Sequence, residues 1–319
     1  MAVQMVRNGT RFPPYLPFAL PNSRPAMRPK QLFQKPRVSC RAIITPLRWT
    51  PMASDKNPHE EMWRGLLTDP QSPLHADRMQ FKLLPGSPRC KTCLFPLGGA
   101  LVSALSSKWG RKPSRKNPNF CNLCEEFIRT HPGGAEIDLS LLFADVRGST
   151  SMAERMMPAE FASLMNRFFR SSSDVLIGCD ALVDKFVGDE IIGLFLPAIV
   201  ADHPAAAVEA GRRLLSATGH GEPGGPWLPI GIGIHSGTAY VGSVGDGLVA
   251  DFTAMGDAVN VAARLASHAG PGELVVTEAA WTRGGPPHVP NSAHMLDLKG
   301  RASPIEVRVL RSDGIPPGS

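Results

Sequence analysis

The chain has 319 residues, a hydrophobic content of 43% and a formal net charge of +6, which together predict a globular protein with one substantial core and a smaller module. The longest apolar run, residues 191–201, is interrupted by Gly193 and Pro197. It is far shorter than the roughly 20 residues that a bilayer crossing needs, which excludes a membrane span and favours a cytoplasmic protein.

The first segment, residues 1–51, is basic and rich in proline. It holds seven arginines and two lysines but no acidic residue, so the rest of the chain is net negative. Such a composition buries too little apolar surface to fold, and we predict a disordered tail. Three interpretations stay open: binding to an anionic surface, organellar targeting, and sequence upstream of the true start. The ordinary composition from Met52 onward favours Met52 as the start.

Residues 52–88 are predicted to be a helical or linker segment, with a helix over Asn57–Leu67. Residues 89–131 form a predicted cysteine module, because they contain two Cys-x-x-Cys pairs, namely Cys90 with Cys93 and Cys121 with Cys124. Two such pairs are typical of a tetrahedral thiolate site for structural Zn²⁺. Lys91 and Arg89 are expected to offset the charge of the thiolates. An iron–sulfur cluster or two redox dithiols are the alternatives.

Between the cysteine pairs lies the basic stretch Lys108–Lys116. It lacks the interleaved aromatic residues of a stacking platform, so we predict a solvated loop and no nucleic-acid binding. The following segment His131–Gly134 is predicted to be a glycine-rich hinge. This position makes the module a candidate regulator of how two copies of the following domain approach one another.

Two acidic residues, Asp145 and Asp189, follow strand-like segments. Between them the pattern predicts an amphipathic helix over Met157–Ile177, then strands over Ala181–Val187 and Glu190–Leu196 joined by a tight hairpin. If the last strand pairs antiparallel with the first, the two aspartates converge. With no basic residue between them they repel unless a divalent cation such as Mg²⁺ holds them. Otherwise an aspartate at a strand end is only a turn or cap residue.

Further along, Pro229–Gly237 is predicted to be a core strand and turn, with His235 as a structural histidine at the strand end. Asn260 and Arg264 stand at positions i and i+4 of a predicted helix that begins at Gly256. They share one face of this helix, and an ordinary polar surface is the alternative interpretation.

Three segments in this order, Phe143–Thr150, Lys185–Glu190 and Phe252–Arg264, resemble the catalytic domain of the class III nucleotidyl cyclases. The resemblance covers roughly residues 136–312. It implies an α+β fold with a ferredoxin-like βαββαβ core, and leaves residues 313–319 as a disordered tail.

The resemblance also implies the roles of individual residues. Asp145, Asp189 and the Val146 carbonyl would hold two Mg²⁺ or Mn²⁺ ions. Asn260 would orient the ribose, Arg264 would stabilise charge on the α-phosphate, and Lys299 would contact phosphate.

The nucleobase would be contacted by Lys185 and Thr253. Because a lysine only donates hydrogen bonds, it suits a ring nitrogen of adenine better than the protonated N1 of guanine. Thr253 departs from the aspartate that is usual in the family. The lysine and threonine combination resembles that of a subgroup of these cyclases, several of which respond to bicarbonate. Guanylyl cyclases instead resemble one another in a glutamate and cysteine pair at these positions.

The resulting expectation is an adenylate cyclase that converts ATP to 3′,5′-cyclic AMP and pyrophosphate, with bicarbonate as one candidate regulatory ligand. In this family the metal aspartates and the remaining site residues come from different subunits, so a homodimer would form two shared sites. The alternatives are a guanylyl or dual-specificity cyclase, and an inactive nucleotide-sensing scaffold with a zinc module.

Overall fold

The computed structural model describes residues 58–100, 102–245, 250–285, 293–301 and 303–311, and the predicted tails 1–51 and 313–319 lie outside them. The helices are α1 (Glu60–Thr68), α2 (Pro73–Lys82), α3 (Val102–Trp109), α4 (Asn122–Thr130), α5 (Ser149–Arg155), α6 (Pro158–Gly178), α7 (His203–Ala217), α8 (Asp257–His268) and α9 (Glu278–Gly284). The strands are β1 (Gly133–Val146), β2 (Leu182–Val187), β3 (Glu190–Phe195), β4 (Ile230–Val244), β5 (Asp251–Met255), β6 (Glu273–Thr277), β7 (His294–Leu296) and β8 (Ile305–Arg311).

The strands of the described residues form one sheet in the order β2-β3-β1-β4-β6-β8-β7, with β5 paired to β4. Its first half follows the chain as β1-α6-β2-β3-α7-β4, and β3 pairs antiparallel with both β1 and β2. This is the ferredoxin-like arrangement, so the predicted α+β fold is confirmed.

Helix α6 and the hairpin that follows it agree with the periodicity of the sequence. The predicted helix over Met157–Ile177 is shifted by one residue, since Pro158 takes the first helical position and Glu160 accepts a hydrogen bond from the Met157 N–H at 3.3 Å. Its buried residues include Met165 and Phe168, which lie on the predicted apolar face. Strands β2 and β3 each match the predicted strand to within one residue.

Alternation along β1 divides the core into two layers. Leu139, Leu141 and Phe143 pack into the layer that includes α1, α8 and the cysteine module. Leu142 and Ala144 pack on the opposite face against α6 and α7. The central strand is therefore buried on both faces, which fixes the position of its carboxyl end.

The predicted turn at the end of Pro229–Gly237 is wrong, because β4 continues through Gly237 to Val244. Its glycines serve close packing instead. A Cβ on Gly233 would lie 2.2 Å from the backbone nitrogen of Ala266 in α8. His235 consequently lies inside the strand rather than at its end, where its Nδ1 lies 3.0 Å from Thr277 Oγ1.

The predicted hinge at His131–Gly134 is also wrong. Gly133 and Gly134 begin β1 and pair with Ser243 and Gly242 of β4. A Cβ on Gly134 would lie 2.3 Å from the Val241 carbonyl oxygen, so glycine is required here by the close approach of two strands. The cysteine module therefore continues directly into the central strand.

Helices α1 and α2 and the cysteine module pack against the sheet. The Trp63 ring stacks on Phe252 at 5.9 Å between centroids, and its Nε1 donates to the His131 carbonyl at 3.1 Å. The buried Arg78 of α2 donates to the Ala181 carbonyl at 2.6 Å, and burial lowers its pKa to about 10. Within the described residues, no helix is both long enough and apolar enough to cross a membrane.

Candidate functional site

Asp145 and Asp189 lie close together where β1 ends and β3 begins, as predicted. Asp145 is the penultimate residue of β1 and is paired in register with Glu190, the first residue of β3. The Val146 N–H donates to the carbonyl of Asp189 at 3.3 Å. The turn between β2 and β3 needs a left-handed residue at Gly188, with φ of 64°, which glycine adopts without strain.

A basic residue lies beside this pair, contrary to the expectation from the sequence. Arg147 forms an ion pair with the Asp145 carboxylate and also donates to the Ser267 carbonyl at 3.1 Å. The side chain folds back over the strand end, where its Nε donates to the Asp145 carbonyl at 3.4 Å. Burial and the charge of Asp189 still raise the pKa of Glu190 to about 7, although Arg147 lowers it.

The donor set fits a divalent cation. Two carboxylates and a nearby backbone carbonyl are the oxygen ligands that Mg²⁺ and Mn²⁺ take. An open cleft of about 540 Å³ lies beside Asp189, lined also by Ser149, Thr150 and Gly188. Its volume lies in the range of small-molecule sites.

The candidate base-contacting residues Lys185 and Thr253 are brought together by an aspartate. Thr253 Oγ1 donates to Asp184 Oδ2 at 2.7 Å, and Lys185 Nζ lies 3.8 Å from the same oxygen. Lys185 Nζ also lies 3.7 Å from Asp251 Oδ2. The register of β2 shifts between Val183 and Phe186, so Asp184 and Lys185 lie in a β-bulge.

Helix α8 presents Asn260 and Arg264 on its polar side, while Val261 and Leu265 are buried. The turn that carries Lys299 lies beside Arg264, since a Cβ on Gly300 would be 3.4 Å from an Arg264 guanidinium nitrogen. The predicted site residues therefore form three groups in one chain: the two aspartates, the base-contacting pair, and the polar side of α8 with Lys299.

The four cysteines of the module converge as predicted. Their Sγ atoms all lie within 4.8 Å of one another, and Cys90, Cys93 and Cys121 are buried. The Sγ atoms of Cys93 and Cys121 are 3.8 Å apart. Zn–S bonds of about 2.3 Å in a tetrahedron separate the sulfurs by about 3.8 Å, so the cluster fits a tetrahedral metal ion.

Arg111 is a cation that lies beside these thiols, and the assignment of this role to Lys91 and Arg89 is wrong. Arg111 Nη1 lies 3.6, 3.4 and 3.8 Å from the sulfurs of Cys93, Cys121 and Cys124. Its Nη2 pairs with Asp77 at 2.5 Å. Burial alone would lower the pKa of Arg111, but these negative groups raise it overall.

Arg89 and Lys91 point elsewhere. Arg89 donates to backbone carbonyls, among them that of Phe81 at 2.9 Å. Lys91 Nζ lies 2.8 Å from Asp184 and 2.9 Å from Asp251. Sequence reasoning missed this contact with the two aspartates beside the base-contacting pair. The sequence places Asp184 next to Lys185, which could have drawn attention to this aspartate. Nothing in the sequence pattern relates Lys91 to either aspartate.

Comparisons with known proteins agree with this geometry. Residues 135–304, slightly more than half of the chain, match the family model of the adenylate and guanylate cyclase catalytic domain. Similar proteins include the adenylate cyclase of Anabaena cylindrica (35% identical over 135 residues, 40% of this chain and 26% of that protein) and adenylate cyclase 1 of Rhizobium meliloti (31% over 134 residues, 40% and 20%).

The chain thus spans about a quarter or less of these two relatives. Among solved structures, the guanylyl cyclase Cya2 superimposes with a TM-score of 0.51 at 27% identity, covering 56% of this chain and 93% of that one. Nothing in the structure or the comparisons supports bicarbonate as a regulator. The chain belongs to the family of adenylate and guanylate cyclase catalytic domains.

Proposed function

We propose that the protein is an adenylate cyclase that converts ATP to 3′,5′-cyclic AMP and pyrophosphate at sites shared by two copies of the chain. The observation that carries this proposal is the convergence of Asp145 and Asp189 at the carboxyl end of a buried central strand. The names of the two adenylate cyclases that match the chain support it.

Asp145, Asp189 and the Val146 carbonyl would hold two Mg²⁺ or Mn²⁺ ions. When bound, these ions supply the positive charge that activates the ribose 3′-hydroxyl and neutralises the phosphates. Arg264 would stabilise charge on the α-phosphate, because its guanidinium is permanently charged and forked. Asn260 would orient the ribose, and Lys299 beside Arg264 would bind phosphate.

The base would be bound by Lys185 and Thr253. Lys185 donates to a ring nitrogen of adenine, whereas the N1 of guanine carries a proton and cannot accept. Thr253 would accept from the adenine amino group. This pairing supports ATP as the substrate.

A homodimer is the proposed assembly. The resemblance to the class III nucleotidyl cyclases supports this, because in that family the metal aspartates and the remaining site residues come from different subunits. Exposed apolar side chains next to these groups support this, namely Phe186 (48% exposed), Val187 (51%) and Met255 (50%). Exposed apolar side chains beside a site are typical of an interface.

In the cysteine module we propose a structural Zn²⁺ ion.

The test measures cyclic nucleotide formation from ATP and GTP side by side with Mn²⁺. Faster turnover of ATP supports the proposal. Faster turnover of GTP would instead establish a guanylyl cyclase, the second candidate, which the similarity to Cya2 favours. No product from a dimer that still binds nucleotide would establish a non-catalytic scaffold.

The shared site has its own test. Asp145→Ala and Arg264→Ala chains are each expected to be inactive, whereas co-expression of the two recovers about a quarter of wild-type activity. Random pairing makes half of the dimers mixed, and each mixed dimer has one intact site of two. No recovery in a confirmed mixed dimer would contradict the shared site.

A further inference from the structure

Lys91 connects the cysteine module to the base-contacting residues. It lies between Cys90 and Cys93, and its side chain is only 6% exposed. Its ammonium group lies 2.8 Å from Asp184 Oδ1 and 2.9 Å from Asp251 Oδ1. Asp184 is 3% exposed, so Lys91 supplies the closest positive charge to a buried carboxylate.

The other oxygen of Asp184 determines how Thr253 can act. Thr253 Oγ1 donates its proton to Asp184 Oδ2 at 2.7 Å. A threonine hydroxyl has one proton, and a carboxylate accepts but does not donate. While this bond exists, Thr253 can only accept from any further partner. Adenine presents a donor, its N6 amino group, where guanine presents an acceptor, its O6.

The backbone of the cysteine module holds Lys91 in this position. The Lys91 N–H donates to the Asn119 carbonyl at 2.8 Å, and the Cys121 N–H contacts Cys90 Sγ at 3.3 Å. Arg78 joins the carbonyl of Thr92, at 2.9 Å, to that of Ala181 just before β2, at 2.6 Å. A metal ion on the four sulfurs would therefore restrain the residues on both sides of Lys91.

We propose that Asp184, held by Lys91 of the cysteine module, is a specificity-determining positioning residue that restricts Thr253 to accepting hydrogen bonds and so selects adenine over guanine. Because Lys91 lies between two cysteines of the cluster, metal binding in the module is coupled to the choice of base. This inference rests on the proposed function, since it requires that Lys185 and Thr253 contact a purine.

The experiment measures dissociation constants of the full chain with Mn²⁺ for 3′-deoxy-ATP and 3′-deoxy-GTP, which lack the hydroxyl needed for cyclisation. The wild type is expected to bind the adenine analogue at least about tenfold more tightly. Lys91→Met removes the charge but keeps much of the side-chain length, and Asp184→Asn supplies an amide that can donate to Thr253. Each is expected to lower the preference about fivefold or more.

The matched control is Lys82→Met, which removes a partly exposed lysine paired with Asp180 at 2.7 Å, outside the site. It is expected to keep the wild-type preference. If Asp184→Asn does not fold, Lys91→Met tests the ion pair with Asp184 and Thr253→Val tests the hydrogen bond with Asp184, and each is expected to lower the preference. Removal of the cysteine-bound metal by dialysis against a chelator, followed by return of Mn²⁺, is expected to lower the preference of the wild type but not that of Lys91→Met.

The outcomes separate the inference from the proposed function. An unchanged preference in folded Lys91→Met and Asp184→Asn overturns the inference while leaving an adenylate cyclase intact. Tighter binding of both analogues by Lys91→Met, with their ratio unchanged, would show that the lysine blocks the site and also overturns it. A wild type that binds neither analogue overturns the proposed function and the inference together.

Discussion

Replacing Gly233 with alanine tests the packing that positions helix α8. Gly233 lies in β4, between Phe143 of β1 and Val275 of β6. A Cβ at this position would be 2.2 Å from the Ala266 backbone nitrogen and 2.6 Å from the Ala262 carbonyl oxygen. Both contacts are with the backbone of α8, so a side-chain rotation cannot relieve them.

The expected loss follows from this geometry. Extra methyl groups in a core cost about 1–3 kcal/mol when the surrounding side chains can adjust. Here the helix itself must move away from the strand, so we expect a loss of about 3 kcal/mol or more from a total stability of about 5–15 kcal/mol. With a urea dependence of about 3 kcal/mol per molar, the unfolding midpoint should fall by about 1 M.

Urea unfolding followed by circular dichroism measures this loss. Gly65→Ala is the matched control, because Gly65 is an exposed position inside α1 with no atom within 4 Å of the added Cβ. It should raise stability by about 0.5–1 kcal/mol, since alanine favours helix. A midpoint for Gly233→Ala within about 0.2 M of wild type would refute the close approach of α8 to β4.

Three further predictions concern the site and its surroundings. Asp145→Asn and Asp189→Asn should each lower cyclic nucleotide formation by at least about 100-fold, because an amide is a poor ligand for a divalent cation; near-normal turnover would refute the metal assignment. Burial lowers the pKa of His235 to about 4, against about 6.5 in the unfolded chain, which therefore takes up the proton first as the pH falls. The contribution of neutral His235 is complete above about pH 6.5 and is lost towards pH 4, by about 3 kcal/mol, and urea unfolding should show a smaller loss in His235→Gln than in wild type. Arg111→Met should weaken metal binding at the cysteines about tenfold in competition with a chromophoric chelator, whereas Lys108→Met should not; equal affinities would contradict the role of Arg111.

The sequence alone predicts the elements and much of the candidate site. Apolar periodicity identifies α6, β2 and β3. The tight hairpin at Gly188 requires β3 to run antiparallel to β2. Asp145 and Asp189 follow from these local features, because antiparallel pairing brings one strand end next to the start of the other. The cysteine spacing likewise predicts the convergence of four thiols.

The tertiary structure alone decides which charges meet and why certain glycines are needed. Lys91 and Asp251 are 160 positions apart, and Arg111 reaches the sulfurs from a stretch whose composition indicates a solvated loop. Gly134 and Gly233 resemble turn residues in sequence, yet they permit two backbones to approach. Periodicity indicates how a segment folds locally, whereas these contacts arise only when separate elements pack against one another. That packing places the buried Asp184 beside Lys91 of the cysteine module.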